Sequence, residues 1–149
     1  MGRSILAVIL GYVVMFVVVF LTFSGAYLVM GTDGAFQPGT YEASTQWLVV
    51  SFILAFIAAI AGGCTAVWIA RKMAPAYVLA GIALVLGFAM AGAMAMAPAD
   101  SRPTVRTGDV PNLEAMQNAR QPMWVALLNP LLGAIGVVVG ARMKGASSA

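Results

Sequence analysis

Apolar residues in this chain are gathered into four long runs, with no alternation of the kind that marks a half-buried strand. The runs cover roughly residues 5–30, 47–70, 76–97 and 123–141, and none has an Asp, Glu, Lys, Arg or His in its interior. About 20 apolar residues in a helix cross the hydrocarbon of a bilayer, and each run is near or above that length. Inside hydrocarbon every backbone N–H and C=O needs a partner within the protein, so each run is predicted to be helical. The expected fold is all-α: an integral membrane protein with a four-helix transmembrane bundle. It forms a single transmembrane domain over residues 1–149, with polar connections at 31–46 and 98–121.

The connections differ in kind. Arg71-Lys72-Met73-Ala74-Pro75 is very short, and Pro75 suits the first turn of the next helix, so spans two and three are expected to be antiparallel neighbours. The connection 31–46 carries the turn signals Thr32-Asp33-Gly34 and Gln37-Pro38-Gly39. Phe36 and Tyr41 are expected at headgroup level, Ser44 and Thr45 are candidate N-caps, and Trp47 is an interfacial anchor. The connection 98–121 is broken by Pro98, Pro103 and Pro111. Its helix formers at 112–120 predict a short surface helix with Leu113, Met116 and Gln117 on one side.

Small residues suggest how the spans meet. Lipid is as apolar as Leu, so helices in a membrane associate through close backbone approach. Ala55, Ala59 and Gly63 form such a stripe in span two; Gly87, Ala91 and Ala95 in span three; Gly136 and Gly140 in span four. Span one shows β-branched and aromatic bulk from Val13 to Phe23. It is expected to face lipid, or a partner, while the other three pack tightly. A faint repeat pairs Trp47 with Trp124 and Gly62 with Gly133, in keeping with two helical hairpins of the same orientation.

Composition narrows the function classes. Charged residues make up 9 % of the chain and hydrophobic ones 62 %, and the net charge of +3 is too small and scattered to imply nucleic acid. Five of the eight basic residues (Arg3, Arg71, Lys72, Arg142 and Lys144) fall on the side that holds the termini, and all five acids fall on the other. The positive-inside rule therefore predicts cytoplasmic termini, in a membrane expected to be a bacterial cytoplasmic one. The first apolar run is too long for a signal peptide and is read as an uncleaved span.

Chemistry-bearing residues are sparse. The chain has no His and a single cysteine, Cys64, which excludes a disulfide framework and His-ligated metals. Ten methionines offer soft ligands, but they are read as flexible packing beside small residues. No intramembrane base could activate a nucleophile, so no enzyme activity, catalytic residue, cofactor or metal is expected. The most unusual pair is Asn129-Pro130 in span four. Proline there removes a backbone hydrogen bond, predicting a polar kink with a freed carbonyl near Ala126. The expected function is structural or accessory: a small polytopic protein that packs with other membrane subunits or forms a homo-oligomer within the lipid bilayer. The alternative is a transporter or channel component for a neutral or apolar solute, using Asn129-Pro130.

Overall fold

The computed structural model describes residues 2–96 and 102–146. Residues 97–101, where span three and the connection 98–121 were expected to meet, lie outside the described residues. Five helices follow in order: α1 (Gly2–Ala35), α2 (Thr45–Ala70), α3 (Ala74–Met96), α4 (Asn112–Asn118) and α5 (Met123–Ala146). Of these, α1, α2, α3 and α5 are long and apolar enough to cross a membrane. Among the described residues there is no strand beyond isolated bridges within and between the long connections.

Local chemistry sets the helix ends. Gly31 interrupts α1 at φ 68°, ψ 178°, a backbone state essentially reserved for glycine. The turn 32–35 thereby leaves the helix axis and enters the first connection. The Ser44 hydroxyl accepts from the Trp47 N–H at 3.0 Å, satisfying an orphan donor at the start of α2. α2 stops at Arg71, which adopts the left-handed conformation at φ 55° and donates its N–H to the Val67 carbonyl.

The helices do not follow chain order around the bundle. The three extensive packings are α1 on α2, α2 on α5 and α5 on α3, in that order, while α1 and α3 touch more lightly. α2 and α3 meet more lightly than any other pair of spans in contact, where the tight link leads one to expect extensive packing. The link holds together only one end of each helix. The glycines of α5 let that helix approach α2 closely, and α5 also packs along α3.

Two antiparallel hairpins result, α1–α2 and α3–α5, joined through a parallel α2–α5 pair. The main core lies along this junction: Ala59, Ala66 and Val67 of α2, Ala76, Leu79 and Ala80 of α3, and Ala134, Val137 and Ala141 of α5. α5 is the most enclosed span, with 39 % of its most apolar window buried against 11 % for α1.

Candidate functional site

The small residues of α2 and α5 meet face to face. A methyl group built on Gly63 would collide with the Val137 carbonyl oxygen, and one on Gly140 with the Ile60 carbonyl oxygen. One on Gly136 would come within 2.7 Å of the Ala59 side chain, and Ala59 is fully buried. Backbone therefore touches backbone along this seam. Cys64 adds a thiol that donates to the Gly140 carbonyl at 3.1 Å. Ala55 lies beyond the close contact and is only partly buried.

The seam also has a regular register. The same spacing separates Trp47 from Trp124, Ala59 from Gly136, and Gly63 from Gly140. The contacts respect it, since Gly63 on Val137 mirrors Gly140 on Ile60. Leu48 and Val125, again at that spacing, are buried in one cluster. The Gly62–Gly133 pairing expected from the sequence is out of this register. Gly62 faces α1, and no described atom lies within 4 Å of a methyl group built on Gly133.

Span one has a small-residue seam after all. Ala7 and Gly11, four residues apart, are buried, and a methyl group on Gly11 would lie 3.0 Å from the Gly62 carbonyl and 2.9 Å from Leu79. This corrects the expectation that only the other three spans pack tightly. Between this seam and the first connection, α1 also carries exposed bulk, including Phe16, Phe20 and Leu21.

Span three divides its small residues between two faces. Gly87 receives the Pro130 ring and Ala91 is buried, whereas Ala95 is exposed. A second set, Gly81, Ala89, Gly92 and Ala93, lies on surface that no described helix closes over. Nothing among the described residues comes within 4 Å of a methyl group built on Gly81 or Gly92.

Pro130 sits inside α5, which is helical from Met123 through Ala146, and the proline is buried in the space left by Gly87. Asn129 is partly buried and makes no side-chain hydrogen bond to another described residue. The pair is thus a packing contact between α5 and α3 at Pro130, with an amide beside it.

Sequence reasoning missed a folded polar region. The two long connections fold together into a cap at one end of the bundle. Phe36 and Tyr41, expected at headgroup level, are buried there with Tyr27, Ala35, Val110 and Ala115. Phe23, Tyr27, Phe36, Tyr41 and Trp47 make successive edge-on ring contacts, with centroids 5.8–6.5 Å apart. Backbone bonds lock the connections together: Tyr41 N–H to the Thr104 carbonyl, Ala43 N–H to the Arg120 carbonyl, and Arg120 N–H to the Tyr41 carbonyl.

Side chains complete the cap. The Tyr27 hydroxyl donates to the Val110 carbonyl at 2.6 Å, and the Asn112 amide donates to the Ser24 hydroxyl at 3.0 Å. The Tyr41 hydroxyl donates to Glu114 at 2.7 Å. That bond, with burial and the nearby carboxylate charge, holds the Tyr41 phenol above its ordinary range. Arg106 is the buried cation of the cap. It donates to the Gly108 carbonyl at 2.6 Å and to Asp33 at 2.8 Å. The Arg106 side chain is 5 % exposed and Asp33 is 87 % exposed. The ion pair thus has one foot in solvent and contributes little by itself, and the carbonyl bond does more to hold the arginine.

The cap gathers the acids Asp33, Glu42, Asp109 and Glu114 at one end, while Arg3, Arg71, Lys72, Arg142 and Lys144 lie at the other. No group of three or more His, Cys, Asp or Glu among the described residues is arranged to hold a metal ion. Comparison of the chain with protein-family models, with curated proteins and with solved structures finds no match.

Proposed function

We propose that this small polytopic membrane protein is a structural or accessory component that packs against another helix in the bilayer. That helix comes from a different membrane subunit or from a second copy of the chain. The observation that carries this reading is the uncovered face of α3, where Gly81 and Gly92 have open space above them and Ala89 and Ala93 are exposed beside Val85. Small residues in membrane helices permit close approach of a neighbouring backbone, as Gly63 and Gly140 do within the chain itself. The cap supports the same reading, because its interactions hold the protein's own connections together.

The alternative, a solute pathway at Asn129-Pro130, finds less support. The space beside Pro130 is occupied by the approach of α3 at Gly87. We further take the termini to be cytoplasmic, on the ground that five of eight basic residues share their side.

Gentle extraction from the native membrane, followed by mass measurement of the intact assembly, tests the proposal. A homo-oligomer or a stable heteromer is expected for the native chain. Gly92→Trp should release a folded monomer, whereas Leu21→Trp on the bulky face of α1 should leave the assembly intact. A native chain that is monomeric throughout would contradict the reading.

A further inference from the structure

The end of the bundle opposite the cap contains a cavity of about 570 Å³ between the end of α2, the link Arg71–Met73 and the end of α5. Arg71, Lys72 and Lys144 line it, together with Val67, Trp68 and Met73. Among the described residues, no acidic side chain contributes to the lining. Arg71 lies one residue beyond the end of α2, so the cavity is level with the end of a membrane-length helix. Trp68 is 67 % exposed beside it, as expected of an indole at the headgroup boundary.

Positive charge at span ends is ordinary, but two observations set this cluster apart. The first is the cavity itself, which brings cations from the α2–α3 link and from α5 around one space. The second is Arg71, the one non-glycine residue with positive φ among the described residues. Its place at the end of α2 is one that glycine fills without strain. Here an arginine holds the left-handed conformation and brings a guanidinium to the lip of the cavity.

We infer that this cavity binds the headgroup of an anionic phospholipid, with Arg71, Lys72 and Lys144 around the phosphodiester. Val67, Trp68 and Met73 supply an apolar wall on which the glycerol and upper acyl chains rest. That wall distinguishes a lipid from a free phosphate ion, which has no use for it. Basic pockets between spans at a membrane surface suit this kind of ligand.

Native mass spectrometry of the full-length chain, released from vesicles of equal phosphatidylglycerol and phosphatidylcholine, tests the assignment. Phosphatidylglycerol should be retained in clear preference. Arg71→Gly, which keeps the backbone conformation, and Lys144→Gln should each reduce that preference about fivefold. Arg142→Gln, at the same end but outside the lining, should reduce it by less than about twofold. Inorganic phosphate at millimolar concentration should fail to displace the lipid. Equal retention of the two lipids would overturn the inference. So would an Arg142→Gln effect as large as that of Arg71→Gly, which would indicate surface potential alone. Full displacement by phosphate would reassign the cavity to a small anion.

Discussion

Two sets of glycines in this bundle have opposite surroundings. Gly63, Gly136 and Gly140 sit where a single added methyl group would strike backbone or side chain of the facing helix. Gly81 and Gly92 sit where it would meet nothing among the described residues. In hydrocarbon a small residue permits close packing only if a helix arrives to use it. The first set is used within the chain, and it defines the α2–α5 seam. The second set marks the surface where we propose that another helix docks.

Substitutions that separate the two sets should differ widely in effect. Gly63→Ala or Gly140→Ala forces two helices apart, and overpacking of this kind costs about 1–3 kcal/mol and occasionally more, the upper end being expected where the added methyl meets backbone. Thermal unfolding in mild detergent should show a large loss for either. Stability unchanged from the native chain would mean that the seam is not close-packed.

The cap comes next in size. Arg106→Met removes the donor to the Gly108 carbonyl and should cost about 1–3 kcal/mol. Asp33→Asn should change stability by less than about 0.5 kcal/mol, because that carboxylate is largely in water. An equal loss for both variants in the same unfolding measurement would show the ion pair, and not the carbonyl bond, to be what secures the arginine.

Tyr41 gives the cap a pH signature. Its folded-state pKa is raised above the ordinary tyrosine value of 10.0, so the folded protein holds this proton more tightly than the unfolded chain does. The contribution is complete below pH 10 and is lost as pH rises through the folded value. Tyr41→Phe should flatten the decline in stability measured above that pH, and an unaltered decline would assign it to other groups.

The smallest effects on stability are expected at the open glycines. Gly81→Ala and Gly92→Ala should fall between neutral and about 1 kcal/mol more stable, since alanine is the better helix former. A loss comparable to that at Gly63 would place a described or neighbouring helix over this face in the isolated protein.

The legible part of this fold was the part written in local composition. Four charge-free runs marked the spans, Ser44 marked the start of α2, and Gly136-x-x-x-Gly140 drew attention to α5. The bundle order was hidden because a short link constrains only the helix ends it joins, and the α2–α5 pair depends on contacts distant in sequence. Ala7 and Gly11 escaped notice among the bulky residues of span one, where two small side chains suffice to meet Gly62. The spacing from Trp47 to Trp124 was visible, but only contact geometry shows that Ala59–Gly136 and Gly63–Gly140 share it. The cap was least legible. Its aromatic rings resemble interfacial anchors in sequence, and their burial depends on two connections, distant in the chain, folding onto each other.

Site-specific photo-crosslinking in native membranes tests the distinction between used and open glycines most directly. A photoreactive residue at Gly92 should yield a protein adduct, either to a second copy or to another membrane subunit, while one at Leu21 should yield lipid adducts only. Lipid adducts alone at both positions would contradict the proposal that the open face of α3 is a protein contact surface.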